Sequence, residues 1–389
     1  MHNIAFKKAR TIIGLMSGTS LDGLDVALCH IEGFGRYSKV EILYFETIPY
    51  LPSLKENIKE IFSKQTVDLE KLCLLHAHIG TLHAGIINNC LQKWNIKNTE
   101  VDIIASHGQT IYHAPKILHK NEAYGNATLQ IGDGDHIAVK TGIITLSDFR
   151  QKHIAAGGQG APLAVYGDYL LFCKQGENRI MLNMGGIANF TFLPADADAT
   201  KMYSTDVGPG NTLMDAVMQQ HFTNKYFDED ALIGLEGTVN EKLLFALQQN
   251  DFFEKDFPKT TGPELFNLSY LANAKTVSNT VALSVYDTIA TLAKFSAITI
   301  AKAILRNMQH DAFVIYSSGG GMHNPLLMGH LRNMLPNAIF KTTADLYILP
   351  DAKEAVLFAV LANEALCGGE TNFGKAVPSV SMGKVSFPH

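Results

Sequence analysis

Residues 14–27 read GLMSGTSLDGLDVA, and this stretch sets how the first domain of the protein begins. An apolar run ends at Met16, small and hydroxylated residues follow, and apolar character resumes at Val26 behind the carboxylates Asp22 and Asp25. The pattern predicts a strand, a polar turn and a second strand. Small residues let backbone N–H groups approach an anion closely, and Thr and Ser add hydroxyl donors. The turn is therefore a candidate phosphate-binding loop.

Asp22 leaves two interpretations of this turn open. A carboxylate repels a bare phosphate, but Mg²⁺ between them would bridge their oxygens, so the turn could hold a metal-bound triphosphate. Alternatively, the turn is a polar hairpin in which Asp22 caps a backbone N–H. Taken alone, the stretch favours this second interpretation.

Two further glycine-rich turns follow β-rich runs. Gly185-Gly186 ends a strand and starts a hairpin, as a phosphate contact would, and Gly319-Gly320-Gly321 suits the close approach of a flat nucleoside. Each is more often only a turn, but three such loops with an acid in the first favour a nucleotide. The pattern GxxxxGK[ST] is absent, and no GxGxxG follows a first strand, so neither a P-loop nor a dinucleotide fold is expected.

The composition is that of a soluble globular protein. A length of 389 residues favours two domains, and a net charge of −5 without a long basic run disfavours a nucleic-acid partner. Five cysteines without a CxxC pair argue against structural disulfides and zinc sites and favour a reducing cytoplasm. Three histidines, His76, His78 and His83, share one helical segment, where we expect surface and packing roles.

Strands that alternate with helices predict an α/β fold, in which function collects on loops at strand ends. Long helices are expected over about 68–94, 278–308 and 352–366. The apolar region 281–305 is interrupted by charged residues and is expected to be a core helix, not a membrane span. Residues 254–263 are expected to form a surface loop.

Asp206 is the candidate general base. It precedes Gly208-Pro209-Gly210-Asn211, where the glycines let a ligand come close and Asn211 could cap the following helix. A carboxylate so placed could take a proton from water or a hydroxyl. The alternative is a turn aspartate bonded to its own loop backbone.

Three more polar residues are candidates for ligand contacts. His107 could touch a polar ligand or be a buried core histidine, and Arg150 could pair with a ligand carboxylate or with Asp148. Glu354 could touch a substrate or only complement a helix dipole, and its sequence context alone favours the helix-dipole role.

The chain resembles the anhydro-N-acetylmuramic acid kinase family. The resemblance rests on the ordered set of segments GLMSGTSLDGLD, SHGQT, QIGDG, DFR with AAGGQGAPL, NMGGIANF, DVGPGNTLMD, SGGGMHNPLL and PDAKEA. It spans about residues 12–366, and it is specific as a set because no single segment would suffice.

The resemblance implies the fold of the actin, sugar-kinase and Hsp70 ATPase superfamily. Two α/β domains would face each other across a central cleft, each with a mixed five-stranded sheet flanked by helices. The N-terminal lobe, with the phosphate loop, is expected over 1–145 plus about 355–389. The C-terminal lobe, with the catalytic aspartate and the adenosine-side glycine loop, is expected over 146–354.

The resemblance also implies an enzyme that uses ATP and Mg²⁺. It would hydrolyse the 1,6-anhydro ring of 1,6-anhydro-N-acetylmuramic acid and phosphorylate O6, giving N-acetylmuramic acid 6-phosphate and ADP in peptidoglycan recycling. The protein would be a cytoplasmic homodimer without nucleic-acid or membrane partners.

Site residues carry over from the matching positions. Asp206 would activate water, Glu354 would lie near the sugar, and Asp22 would hold Mg²⁺. The expected ATP- and phosphate-binding residues are Gly18, Thr19, Ser20, Leu21, Asp22, Gly23, Leu24, Asp25, Gly185, Gly186, Gly319 and Gly320. The expected sugar-binding residues are Ser106, His107, Gln109 and Arg150.

One departure and two alternatives accompany the resemblance. After DFR, His153 stands where many relatives carry an acid, which leaves the role of that side chain open. A kinase of the same superfamily that acts on a plain sugar or a carboxylate would need no water-activating base. A non-catalytic ATP-binding module would need an added peptide- or DNA-binding domain, for which the motifs leave no room.

Overall fold

The structure is a computed structural model that describes residues 2–18, 21–308, 312–368, 371–374 and 377–389. The first elements are α1 (His2–Ala5), β1 (Ala9–Ser17), β2 (Gly23–Glu32), β3 (Lys39–Pro49), α2 (Pro52–Lys59), α3 (Leu69–Trp94), β4 (Ile103–Ala114), α4 (Lys116–His119), β5 (Ala127–Ile131), α5 (Gly134–Thr141), β6 (Thr145–Ser147), α6 (Phe149–Ala155) and α7 (Ala164–Phe172). Next come β7 (Asn178–Met184), β8 (Ile187–Leu193), β9 (Tyr203–Pro209), α8 (Thr212–His221), α9 (Leu232–Leu235), α10 (Glu241–Leu247) and α11 (Leu268–Val277). The last are α12 (Val285–Met308), β10 (Phe313–Ser318), α13 (Pro325–Met334), β11 (Ala338–Thr342), α14 (Lys353–Cys367) and β12 (Lys384–Ser386).

The described strands form two mixed sheets, so the α/β prediction is confirmed. The first sheet has the order β12-β6-β4-β1-β2-β3, with β5 paired to β4, and the second has the order β11-β10-β7-β8-β9. In each sheet, parallel strands (β1, β4 and β6; β7, β10 and β11) adjoin an antiparallel meander. The second sheet has the expected five strands, but the first has seven. The two extra strands arise because β5 pairs with the long β4 and the C-terminal β12 pairs with β6.

The chain divides into two compact units. Unit 1 is Met1–Phe172 with Tyr347–His389, and unit 2 is Cys173–Leu346. These limits differ from the expected lobes, because residues 146–172 and 347–354 belong to unit 1. Side-chain contacts explain the difference: Arg150 donates to His107 of β4, and Lys353 forms an ion pair with the buried Asp168 of α7 at 2.7 Å.

Helix α14 packs directly on β1 at Gly14. A Cβ atom at Gly14 would lie 1.9 Å from the Ala355 carbonyl oxygen and 3.1 Å from the Ala359 backbone nitrogen. Only glycine allows this approach, which seats the N-terminal turn of α14 against β1. Elsewhere in the contact between β1 and α14, Nε of the buried Arg10 donates a hydrogen bond to Asn363 Oδ1 at 2.6 Å. The opening stretch therefore fixes both a strand and the helix that covers it.

The helices largely follow the expected limits. Helix α3 begins where Asp68 accepts a hydrogen bond from the Lys71 N–H and ends at Asn95, which has φ 54°. Helix α12 begins at Val285 rather than at 278, because Ser278 ends α11 and Asn279 adopts φ 57°. The segment Val285–Arg306 is long and apolar enough to cross a membrane, but 83% of its apolar window is buried by the rest of the protein, as a core helix requires.

Candidate functional site

The predicted strand–turn–strand at the opening stretch is confirmed. Strand β1 ends at Ser17, β2 begins at Gly23, and the two pair antiparallel from Ala9–Glu32 to Met16–Asp25. Of the predicted loop residues, Thr19 and Ser20 lie outside the described residues, whereas Gly18 and Leu21–Asp25 are described. Leu21 adopts φ 59°, an unfavourable conformation for leucine, while its side chain is buried in the core of unit 1. Packing of the Leu21 side chain in the core thus stabilises a backbone conformation that leucine disfavours.

The two loop carboxylates differ in exposure. Asp22 is exposed, whereas Asp25 on β2 is half-buried and accepts a hydrogen bond from the Thr47 hydroxyl at 2.5 Å. Burial and, to a smaller extent, the nearby carboxylates Asp351 and Asp22 raise the pKa of Asp25, while the Thr47 bond lowers it.

These oxygen donors fit a magnesium ion that is shared with a nucleotide. Mg²⁺ binds through one or two protein carboxylates, with waters and phosphates completing its shell. The described residues hold no group of three or more His, Cys, Asp and Glu side chains that could bind a metal alone. On this loop, the exposed carboxylate of Asp22 would be the protein ligand.

The buried His107 and the half-buried Arg150 meet in unit 1. Arg150 Nε donates to His107 Nε2 at 2.9 Å, and Arg150 Nη1 donates to the Gly160 carbonyl at 2.7 Å. Burial and the Arg150 charge lower the pKa of His107 to about 3, so the ring is neutral and Nε2 is free to accept. The alternative pairing of Arg150 with Asp148 does not form, because Asp148 pairs with Lys384.

The structure gives His153 a role that the sequence left open. The ring is buried, and its Nδ1 accepts a hydrogen bond from the Gly160 N–H at 2.9 Å. Because the Gly160 carbonyl in turn accepts from Arg150, His153 helps to fix the residue whose carbonyl orients the guanidinium. Burial, followed by the Arg150 charge, lowers the pKa of His153 to about 4, which keeps its ring a neutral acceptor.

Glu354 lies in the first turn of α14. Burial raises the pKa of Glu354, the charges of Lys353 and Arg150 lower it, and that of Asp25 raises it. These charge interactions place Glu354 within electrostatic range of both Arg150 and Asp25. Unit 1 therefore contains both the predicted phosphate loop and the predicted sugar-side residues.

Ser106 and Gln109 on β4 are fully buried. Both amide hydrogens of Gln109 are used within the protein, since Nε2 lies 3.1 Å from the carbonyl oxygens of Gly18 and of Thr110. Its Oε1 lies 2.6 Å from Ser17 Oγ. A direct sugar contact by Gln109 would require these bonds to break.

Three predicted loops converge in unit 2. The turn Gly185-Gly186 joins β7 to β8, and its carbonyls accept hydrogen bonds from the N–H groups of Gly210, Asn211 and Thr212 at 2.8–3.1 Å. A Cβ atom at Gly319, which has φ 80°, would lie 2.7 Å from Asn183 Oδ1 and from the Met184 carbonyl carbon. The two glycine turns and the segment after β9 are thus neighbours around the end of β7.

Asn211 does not cap α8 through its side chain. It occupies the N-cap position, but its Nδ2 donates to the Met184 carbonyl at 3.3 Å. The prediction of a side-chain cap is wrong, because the amide ties α8 to the end of β7.

Asp206 lies within β9, three residues before the strand ends. Its N–H donates to the Lys259 carbonyl at 3.0 Å, and its Oδ2 accepts from the Thr261 N–H at 2.9 Å. The alternative of a turn aspartate bonded to its own loop is therefore wrong. Burial raises the pKa of Asp206, the Thr261 bond lowers it, and Glu264 raises it. One carboxylate oxygen is fixed, and the group favours proton uptake, as a general base requires.

One contact of Asp206 comes from a distant loop. Residues 254–263 form a largely exposed loop, as the sequence predicts, and Lys259 and Thr261 in it bind the backbone and the carboxylate of Asp206. The half-buried Lys259 also lines a cavity of about 400 Å³ with Val207. The contact comes from a backbone N–H, which leaves no mark in the residue types.

A family model and several known proteins match this chain over nearly its whole length. A sequence model of the family described as anhydro-N-acetylmuramic acid kinase matches residues 10–383. Proteins of that name from Pseudoalteromonas atlantica and Pseudoalteromonas translucida are 56% and 53% identical, each alignment covering 100% of this chain and 98% of the relative. The protein of that name from Caldanaerobacter subterraneus is 38% identical, with 98% of both chains covered.

Solved structures resemble the chain only distantly. Component A of the Acidaminococcus fermentans (R)-2-hydroxyglutaryl-CoA dehydratase has a TM-score of 0.42 and 12% identity, covering 92% of this chain and 99% of its own. A TM-score this low carries no weight for fold or function. The match across residues 10–383 and the relatives of 38–56% identity decide the matter: the chain belongs to the anhydro-N-acetylmuramic acid kinase family.

Proposed function

We propose that the protein is an ATP-dependent kinase for 1,6-anhydro-N-acetylmuramic acid, which opens the anhydro ring by hydrolysis and phosphorylates O6. The products are N-acetylmuramic acid 6-phosphate and ADP, and the reaction belongs to peptidoglycan recycling. The observation that carries the proposal is Asp206, with one oxygen held by Thr261 and a pKa raised by burial, beside three converging loops in unit 2.

Asp206 supplies the base for ring opening. Oδ2 is held by the Thr261 N–H, so Oδ1 takes the proton as water attacks C1. The C1–O6 bond breaks, and its electron pair goes to O6. O6 then bonds to the γ-phosphorus as the bond to the bridging oxygen of ADP breaks. Coupling the two steps avoids a free alkoxide, which is a poor leaving group in water.

The loop between β1 and β2 is the proposed binding site for the nucleotide phosphates. When bound, Mg²⁺ neutralises charge on the phosphates, and electrostatic stabilisation of this kind usually contributes most to the catalysis of phosphoryl transfer. Asp22 is the proposed protein ligand of the ion. Gly185, Gly186, Gly319 and Gly320 give the nucleotide the close backbone approach that side chains would block.

Arg150 and Glu354 are the proposed contacts to the sugar. The guanidinium is held by His107 and Gly160, so its orientation is set before the sugar binds. A planar cation suits the lactyl carboxylate of the sugar. Glu354, whose charge interacts with that of Arg150, would accept hydrogen bonds from sugar hydroxyls.

Labelled water tests both halves of the reaction. The protein is incubated with ATP, Mg²⁺ and anhydro-N-acetylmuramic acid in ¹⁸O-water, and the products are fragmented by mass spectrometry. We expect one ¹⁸O at C1 and an unlabelled phosphate on O6, with turnover lost when EDTA removes Mg²⁺. If N-acetylmuramic acid is phosphorylated faster than the anhydro sugar, without label at C1, the proposal is overturned in favour of a plain sugar kinase.

We also propose that the protein acts as a cytoplasmic homodimer. Cys29 and Cys90 are free and buried, as suits a reducing compartment. Light scattering after size exclusion should give twice the 42.5 kDa of one chain, and a monomer at micromolar concentration would contradict the proposed dimer.

A further inference from the structure

Four buried polar side chains meet behind the opening loop. Ser17 Oγ lies 2.6 Å from Gln109 Oε1 and 2.9 Å from the Tyr50 hydroxyl, which lies 2.8 Å from His83 Nε2. The exposed fraction is at most 4% for each of the four residues. They come from β1, β4, α3 and the residue after β3, and we refer to Ser17, Tyr50, His83 and Gln109 as the loop-support network.

The direction of every hydrogen bond in this network follows from one constraint. Carbonyl oxygens only accept, so Gln109 Nε2 gives its two hydrogens to Gly18 and Thr110, and Oε1 must be the amide atom that faces Ser17. Ser17 then directs its single hydrogen to Oε1 at 2.6 Å, shares it more weakly with the Gly23 carbonyl at 3.2 Å, and accepts from Tyr50. Tyr50 in turn accepts from His83, so His83 carries its hydrogen on Nε2.

The neutral state of His83 is consistent with this order. Burial lowers the pKa of His83 to about 4, so the ring carries one hydrogen at neutral pH. Each hydrogen bond is therefore donated in the same direction along the chain of groups, from His83 through Tyr50, Ser17 and Gln109 to the Gly18 carbonyl.

The network contacts both ends of the loop. Gln109 holds the Gly18 carbonyl at 3.1 Å, and Ser17 Oγ lies 3.2 Å from the Gly23 carbonyl oxygen. The Tyr50 N–H donates to the Asp22 carbonyl at 3.0 Å. Carbonyl oxygens repel phosphate oxygens, so hydrogen bonds that hold the Gly18 and Asp22 carbonyls keep these two oxygens from a bound anion.

We propose that Gln109, supported by Ser17, Tyr50 and His83, is a positioning residue that shapes the loop for the nucleotide phosphates. This inference rests on the proposed function, which assigns the loop to ATP. It gives Gln109 a different role from the sugar contact that the family resemblance implies.

Steady-state kinetics of Gln109→Met test the inference. Methionine keeps the length of the side chain but cannot donate to Gly18. We expect the KM for ATP to rise about 3- to 10-fold, the loss of one hydrogen bond, with the KM for the sugar unchanged. Asn98→Leu is the matched control, because it removes a hydrogen bond from a side-chain carboxamide to the Thr141 carbonyl (3.2 Å) in the same unit. Its KM values for ATP and for the sugar should stay at the wild-type level.

Tyr50→Phe provides a second variant that conserves volume. It removes the hydroxyl between His83 and Ser17 but leaves the Gln109–Gly18 bond, so the KM for ATP should rise less than in Gln109→Met. A rise in the KM for the sugar, or unchanged KM values in both variants, would overturn the positioning role. A wild-type protein that fails to bind ATP in calorimetry would instead refute the proposed function, which separates the two failures.

Discussion

The backbone N–H of Thr261 donates a 2.9 Å hydrogen bond to Asp206 Oδ2, joining residues 55 positions apart. The bond holds one carboxylate oxygen and leaves the other for chemistry. An asparagine at position 206 could still accept this bond through its amide oxygen, so the proposed base can be removed while the bond to Thr261 is kept.

Asp206→Asn should therefore fold normally and bind ATP while losing most of its turnover. Removing a general base costs about 10²- to 10⁴-fold in rate. The measurement is kcat for ADP release, with calorimetric ATP binding as a check. Asp251→Asn, an exposed position in the same region, is the control and should keep its kcat. Near-normal turnover in Asp206→Asn would refute the assignment.

Burial is the main cause of the raised pKa of Asp206, and the charge of Glu264 should contribute to the acidic limit of activity. Glu264 raises the pKa of Asp206, and the reaction needs Asp206 as a carboxylate, so activity falls as pH drops through that pKa. Glu264→Gln removes the neighbouring negative charge, which lowers the pKa and moves the acidic limb of kcat/KM to lower pH. Glu254→Gln, which changes a charge elsewhere in the same segment, should leave the limb in place. A shift to higher pH in Glu264→Gln would contradict the base assignment.

Gly14 should tolerate no side chain. The Cβ of Gly14→Ala would overlap the Ala355 carbonyl, so we expect unfolding in urea to show a loss of about 1–3 kcal/mol. Activity should fall as well, because Glu354 shares the displaced turn. Gly85→Ala is the matched control: Gly85 lies in α3 with open space around its Cβ, and alanine there should stabilise by up to about 1 kcal/mol. Equal effects of the two substitutions would argue against the close packing of α14.

The role of His153 can be tested by removing its acceptor. His153→Phe preserves the ring but leaves the Gly160 N–H without its partner, at a cost of about 1–3 kcal/mol at pH 7. In the wild type, the lowered pKa means that the unfolded chain binds more protons between pH 6.5 and about 4, so stability falls as pH drops through that range. His153→Phe should weaken this pH dependence, whereas the exposed His78→Phe should leave it unchanged. Urea unfolding at pH 5 and 7 measures both effects.

Local patterns account for the elements that were predicted well. The polar interruption after Met16 gave the hairpin between β1 and β2, and Asp68 marked the start of α3, because alternation and capping are properties of adjacent residues. The glycine turns at 185 and 319 were found at strand ends for the same reason. Their convergence depends on strand pairing, to which the sequence offers no direct guide.

The contacts that the sequence did not predict are made by backbone groups or by residues far apart in the chain. Thr261 binds Asp206 by an N–H that every residue except proline carries. Gln109 bonds to Ser17 and Gly18, more than 90 positions away. His83 looked like helix packing because its partner Tyr50 comes from another element. Side-chain type alone could not reveal these contacts.

The seating of α14 on Gly14 has a consequence for how the protein is made. Glu354 and helix α14, which covers β1, follow the whole of unit 2 along the chain. A nascent polypeptide on the ribosome therefore exposes the apolar face of β1 until α14 has left the exit tunnel. Chains truncated before residue 353 would lack Glu354 and leave the buried Arg10 without Asn363, so premature termination should yield aggregates for proteolysis rather than a partly active enzyme.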